Sequence, residues 1–177
     1  MTDLPLPCPA GEAVGPHTPD AAHYRKVMGR FATGVVVATT LAGAHDHAIT
    51  ANSITSVSLE PPMLLIGVGV DSRWLEAVTE AGVWGVSVLA AVSRSVAEWL
   101  ATPGRPLHGQ LDRVPHHTGV TGVALLDDAL ATVECRTQAL HAAGDHVLVL
   151  GQVVAAQAPG SAGPALVHFR GTYTALT

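Results

Sequence analysis

Residues 35–40 hold Val, Ala and Thr only, β-branched almost throughout, and predict a strand. Residues 43–46 read as a turn, and residues 48–54 return as a second strand, so the two form a hairpin. Residues 63–70 are apolar nearly without interruption and predict a third strand buried on both faces. Residues 83–89 give a fourth. Residues 130–140 and 146–156 give two more around a turn at Gly144-Asp145, and residues 166–169 and 172–176 complete the sheet. Helical spacing occurs in three places. From Thr18 as N-cap, through Pro19 and Asp20, one buried face is expected at His23, Tyr24, Val27, Met28 and Phe31, with Gly34 as the stop. Asp71 or Ser72 caps a short helix with Trp74, Leu75 and Val78 inward. Residues 93–101 place Val96, Trp99 and Leu100 inward before Pro103-Gly104 ends the helix.

Residues 1–17 carry no periodicity and much Pro and Gly, which predicts a flexible arm ahead of one domain over residues 18–177. An arm draped over a second subunit is the other reading. Residues 104–122 are irregular, a long loop of the kind that covers a site or an interface. At least six strands, short helices and no alternating βαβ rhythm argue for a barrel of mostly antiparallel strands.

Residues 50–62 (TANSITSVSLEPP) stand apart. Hydroxyl and amide side chains alternate with single apolar residues, and Pro61-Pro62 ends the run. An ordinary core strand does not tolerate this pattern, because each buried hydroxyl without a partner costs on the order of 1–3 kcal/mol. A strand edge that turns its hydroxyls and backbone N–H groups toward a polar guest, such as a phosphate-bearing small molecule, fits it. A ligand-free solvent-exposed edge is the alternative.

The chain has 177 residues, 48% of them hydrophobic and 13% charged, which excludes wholesale disorder. Net charge is −5 and the nine Lys and Arg are scattered, so a nucleic-acid surface is not expected. Two cysteines, Cys8 and Cys135, give neither a disulfide framework nor metal spacing. Pro5, Pro7 and Pro9 stand where a signal peptide needs an apolar run, and no apolar stretch is long enough to span a bilayer. A soluble, cytoplasmic protein is the expectation. His45-Asp46-His47 and His116-His117 lack a ligand pattern, since neighbouring strand residues point to opposite faces. No metal site is expected, and Asp127-Asp128 reads as a solvated turn.

Four segments stand in order: GRFATGVVV (residues 29–37), TANSITSVSLEPP (50–62), GDHVLVLGQV (144–153) and RGTY (170–173), with ALATVEC (129–135) between the second and third. Together they resemble the short-chain flavin reductase family, the reductase components of two-component flavin-dependent monooxygenases. The resemblance spans residues 23–176. It implies a mainly β fold, a Greek-key split β-barrel of the FMN-binding type with short peripheral helices, usually a homodimer. It also implies that NADH or NADPH reduces FMN or FAD, which stays bound or leaves for a partner monooxygenase. By position, Thr33, Gly34 and Val35 should border the isoalloxazine ring. Thr50, Ala51, Asn52 and Ser53, with Ser56, should wrap its polar edge, the ribityl chain and the phosphate. Ser72 and Arg73 match a frequent phosphate contact. Asp145 should be a turn residue, His146 should face the nicotinamide, and Tyr173 should lie near the ring or the dimer seam. Hydride transfer needs the two rings stacked at roughly 3–3.5 Å, so alignment outweighs acid–base chemistry.

Several of these residues have a plainer reading as well. Arg73 as a surface cation, His146 as a turn histidine, Tyr173 as core packing and Thr33-Gly34-Val35 as helix stop and strand start all remain open. Two functional alternatives also stand: a split-barrel flavoprotein that keeps its flavin and acts on its own small organic substrate, and a flavin-binding protein without turnover. The 104–122 loop, rich in His, Gly and Pro, does not map onto a nicotinamide-binding role, and Trp99 stands where relatives commonly have Phe.

Overall fold

The computed structural model describes residues 19–159 and 163–176. Helix α1 (Ala21–Met28) leads into strands β1 (Thr33–Gly34), β2 (Val36–Ala42), β3 (His45–Ala51), β4 (Ile54–Leu59) and β5 (Pro62–Gly69). Helix α2 (Arg73–Ala81) crosses to β6 (Val83–Leu89), and a 3-10 turn at Ala91–Ser93 opens α3 (Arg94–Ala101). The chain continues through β7 (His116–Thr118), β8 (Ala124–Leu126), β9 (Ala129–Ala143), β10 (His146–Gln157), β11 (Ala165–Phe169) and β12 (Thr172–Leu176). Every strand pair is antiparallel.

The main sheet has seven strands in the order β3-β2-β6-β9-β10-β5-β4, beside a three-stranded β1-β11-β12 sheet and the β7-β8 pair. Its two edge strands, β3 and β4, are consecutive in sequence. The two-residue link Asn52-Ser53 carries the chain from one edge to the other, and Gly67 N–H of β5 donates to the Ser53 carbonyl at 2.8 Å, which extends the β4–β5 ladder into that link. This is the expected split barrel.

Strand β2 shows why the run after residue 34 has no polar alternation. Val36 and Ala38 face a core with Ile66, Trp84 and Val149, over which α2 packs Trp74 and Val78. Val35 and Val37 face a second core with Leu89, Leu126 and Leu166, closed by Ala97 and Leu100 of α3. Both faces are buried, so both must be apolar. Gly151 of β10 is needed for close approach, since a Cβ there would lie 2.7 Å from the Trp84 ring.

Strand β6 and the β11–β12 hairpin match the expected ranges closely, whereas the strand expected to be buried on both faces over residues 63–70 is buried on the face of Leu64, Ile66 and Val68, with Met63 and Leu65 of the other face half-buried and Val70 exposed beyond its end. Four other expectations need correction. Thr18 lies outside the described residues, as does the arm over residues 1–17, and the N-cap of α1 is Asp20, whose carboxylate accepts from His23 N–H at 2.8 Å. The helix ends at Gly29, while Gly34 belongs to β1 opposite Val167. The face read as buried is exposed, with Tyr24 57% and Phe31 67% accessible. Finally, residues 48–54 are not one strand: Asn52-Ser53 interrupts it, because the chain there passes from one barrel edge to the other. The 104–122 loop is also less irregular than expected, since His116–Thr118 pairs with β8.

Candidate functional site

Where β3 ends, it passes the three-stranded sheet, and the polar residues after Thr50 meet partners from distant parts of the chain. Thr50 Oγ1 donates to the Ala97 carbonyl at 2.8 Å, which ties β3 to α3. The Asn52 side-chain amide donates to Thr33 Oγ1 at 3.0 Å and sits 3.4 Å from His168 Nδ1. The β11–β12 register places His168 opposite Tyr173, and their rings meet edge to face at 5.6 Å. Val35, Thr50, Ala51, Asn52, His168 and Tyr173 line a shallow hollow of about 90 Å³. Gly34 adjoins it through Val35, and a Cβ at Gly34 would meet nothing within 4 Å, so the backbone there is open to a flat guest. Burial, with Glu98 nearby, raises the Tyr173 phenol above its ordinary range, against the opposing pull of Arg94. It is therefore a neutral hydrogen-bonding group near pH 7.

Further back along β3 lies a second, larger cavity of about 380 Å³, walled by His47, Asp71, Ser72, Arg73, Arg105 and Gln110 among others. Ser72 caps α2 through its backbone and makes no side-chain capping bond, so its hydroxyl is not committed to the helix. Arg73 donates through Nη2 to the Arg105 carbonyl at 2.8 Å. Arg105 in turn donates to the Thr102 carbonyl at 3.1 Å and to the carbonyl of Ala48. Gln110 Oε1 accepts from Ala48 N–H at 2.9 Å. These bonds clamp the loop after α3 onto β3. Burial, and then the neighbouring Arg73, lower the Arg105 guanidinium pKa. His47 is lowered as well, first by burial and then by His45, Arg73 and His108, against Asp46. At roughly 3.3 Å per residue, the stretch from His47 to Asn52 spans about 17 Å, which places the two pockets along one strand edge.

Not every expected residue joins these pockets. Ser53 sits on the seam: its Oγ would lie 2.7 Å from a Cβ on Gly67, so that glycine is required for the close approach. Ser56 is exposed on β4 opposite Leu64. His146 begins β10 opposite Gly69, which lines the cationic cavity, and its Nδ1 lies 2.7 Å from Asp145 Oδ1. That hydrogen bond lowers the Asp145 carboxyl pKa. Asp145 is a turn residue as expected, its carbonyl accepting from Val70 N–H at 3.1 Å. A third cleft of about 420 Å³, between α3 and residues 109–114, contains none of the expected residues. Trp99 is 40% exposed in its wall rather than inward, and donates to the Gln110 carbonyl at 3.1 Å.

Sequence reasoning missed His168, Arg105, His47 and Gln110. His168 lies two residues before the RGTY segment and was within reach of a pairing argument across that turn. Arg105 and Gln110 are positioned by long-range bonds to β3, for which an aperiodic loop gives no signal. Among the described residues, no group of three or more His, Cys, Asp or Glu could hold a metal ion.

The described strands form an antiparallel split barrel with a hollow beside Asn52 and a cationic cavity along one edge. The chain belongs to the flavin reductase like domain family, whose model matches residues 28–177. It is 39% identical over 160 residues to the NADH-dependent FMN reductase AsuE2 of Streptomyces nodosus subsp. asukaensis, covering 89% of this chain and 86% of that protein. It is also 39% identical over 154 residues to an NADH-dependent FAD reductase of Streptomyces globisporus, covering 86% of this chain and 83% of that one. Among solved structures, BorF, the flavin reductase component of a bacterial two-component tryptophan halogenase, superposes with a TM-score of 0.84 at 40% identity, over 89% of this chain and 98% of that chain.

Proposed function

We infer that the hollow beside Asn52 and the cavity around Arg73 together form the flavin site of an NAD(P)H:flavin oxidoreductase that supplies reduced flavin to a partner monooxygenase. The chain is an NAD(P)H-dependent flavin reductase, acting on FMN or FAD. The observation that carries the site is the Asn52 amide, which joins Thr33 to the His168–Tyr173 pair at the one place where several of the motif residues converge. Thr33, Gly34 and Val35 border the ring, and Gly34 leaves room for it. Ala51, Asn52 and Ser53 hold its polar edge with backbone N–H groups and the amide, while Thr50 anchors this strand end to α3. Ser53 and Ser56 flank the ribityl chain. The uncommitted Ser72 hydroxyl and Arg73 hold the phosphate at the start of α2. His146, at the neighbouring strand end, faces the nicotinamide. Bound flavin supplies the hydride acceptor, and the residues named here align it against the nicotinamide and exclude water.

The ring's hollow is shallow, about 90 Å³, and Gly34 and Asn52 at it are exposed, which favours a flavin that leaves over one that is retained. Homodimerisation is part of this reading, because Tyr24, Val27 and Met28 of α1, with Phe31 just beyond it, are large apolar side chains that this protomer leaves exposed. So is a cytoplasmic location, in line with a free Cys135 and no helix among the described residues long and apolar enough to cross a membrane. The test is oxidation of NADH and NADPH by catalytic protein with excess FMN, FAD or riboflavin. Many turnovers that depend on free flavin support the reading. Flavin binding without turnover, or turnover independent of added flavin, overturns it.

A further inference from the structure

We propose that Arg105, together with His47, makes the cavity beside Arg73 a diphosphate subsite, so that it takes two linked phosphates of a dinucleotide rather than one. This rests on the flavin reductase reading and extends it to residues that reading leaves idle.

Three observations carry it. The first is uncompensated charge. Arg73 and Arg105 share one cavity and are tied side by side through the Arg105 carbonyl, yet their hydrogen bonds run to backbone carbonyls. The ion pairs among the described residues are Arg94–Glu98, His117–Asp127 and His146–Asp145, so neither guanidinium has a carboxylate partner. Asp71, the one carboxylate in the wall, stands exposed at its edge. Two partly desolvated like charges held together without a counterion favour an anion between them.

The second is unspent hydrogen-bonding capacity. Among the described residues, five buried side-chain polar atoms lack a partner, and three of them, His47 Nδ1, Trp74 Nε1 and Arg105 Nε, belong to residues of this wall. Such atoms each cost on the order of 1–3 kcal/mol unless something satisfies them. The rings of His45 and His108, with centroids 3.9 Å apart and planes inclined at 43°, add two more imidazoles beside His47.

The third is size and rigidity. The cavity, about 380 Å³, exceeds what one phosphate needs and falls within the range of small-molecule sites. The first phosphate is matched by Ser72 and Arg73. Arg105, locked through Nη1 and Nη2 by the Thr102 and Ala48 carbonyls, is a second fixed cation whose charge and unpartnered Nε–H are left for another phosphate.

Both FAD and NAD(P)H carry this diphosphate, and the experiment separates them. Calorimetry on the full wild-type chain compares inorganic phosphate with inorganic pyrophosphate, and pyrophosphate should bind about tenfold tighter or better. Equal affinity for the two anions overturns the proposal without any variant. Arg105→Gln then raises the dissociation constant for FAD by about tenfold with FMN little changed, if the flavin supplies the diphosphate. If the nicotinamide supplies it, the same variant raises KM for NADH by about tenfold and leaves reduced nicotinamide mononucleotide unaffected. A variant that shifts the mono- and dinucleotide forms of both ligands alike, or shifts neither, also overturns the proposal. Arg105→Lys, which keeps the charge, should retain most of the preference for pyrophosphate. Turnover with any flavin tests the underlying reading separately, because anion selectivity is measured without catalysis.

Discussion

Replacing Asn52 with Ala separates what this residue does for the fold from what it does for the ligand. Its amide makes one good bond, to Thr33 Oγ1 at 3.0 Å, and one long contact, to His168 Nδ1 at 3.4 Å, and all three residues lie near the surface. An exposed neutral hydrogen bond contributes about 0.5–1.5 kcal/mol, and the long one less, so the stability loss should stay near 1 kcal/mol. The ligand loses more. With flavin in the hollow, the amide faces a ring edge in a site that has shed water, and one or two lost bonds there amount to about 1–3 kcal/mol. That corresponds to roughly a 5- to 150-fold rise in the flavin dissociation constant. Steady-state kinetics with varied FMN or FAD, together with thermal unfolding of the same preparation, checks both numbers. The expected pattern is a higher KM for flavin, a lower kcat/KM and a melting temperature within a few degrees of wild type. Asn52→Asp should bind poorly as well and also turn over more slowly, because a carboxylate opposes negative charge developing on the ring. Wild-type flavin affinity in Asn52→Ala would refute the placement of the ring's polar edge, as would a large loss of stability with unchanged kinetics per folded molecule.

Four further outcomes follow from other parts of the molecule. Glu134 is 2% exposed and accepts from Val120 N–H, Thr121 N–H and Thr121 Oγ1 at 3.0, 2.7 and 2.6 Å, so Glu134→Ala should cost about 3–5 kcal/mol in denaturant unfolding, and an unaltered midpoint would contradict this clamp. His146→Ala should raise KM for the nicotinamide while leaving flavin affinity in place; collapse of flavin binding instead would misplace His146. Val27→Asp on the exposed face of α1, with Phe31→Asp just beyond the helix, should convert a dimer to monomer in sedimentation velocity with little change in protomer stability, and a dimer that survives would remove this segment from the interface. His47 titrates below its ordinary 6.5 when folded, mainly through burial, with His45, Arg73 and His108 adding to it and Asp46 opposing. The unfolded chain therefore binds the extra proton first, and stability should begin to fall as pH drops through 6.5 and continue down to the folded value. His47→Gln should flatten that part of the profile, and an identical profile in the variant would exclude His47 as its source.

Much of the barrel was legible because antiparallel strands write their burial into the chain. Residues 83–89 and 172–176 coincide with β6 and β12, since a run of β-branched and aromatic residues between glycine turns admits few other structures. The hollow was legible in part for a related reason: hydroxyls and amides interrupting a strand pattern need partners, and Thr50 and Asn52 do find them on α3, β1 and β11. The error at α1 shows the limit of periodicity. Tyr24, Val27 and Met28 do recur at helical spacing, but spacing says only that a face is apolar, not that the same protomer covers it, and Phe31, read as part of that face with His23, falls past the end of the helix. Arg105 shows another limit. Its position depends on carbonyls of Thr102 and Ala48, the second 57 residues away in sequence, and backbone acceptors leave no residue-specific trace.

The barrel's seam has a mechanical side. A seven-stranded sheet would be left with two open edges, and here a connection of two residues, Asn52 and Ser53, bridges them. The same pair stands in the proposed ligand hollow, with the Ser53 carbonyl holding Gly67 of β5 and the Asn52 amide holding β1. Ligand and barrel thus share a clasp. A guest that occupies this edge stiffens the joint between β3 and β4, and each opening of that joint loosens the guest.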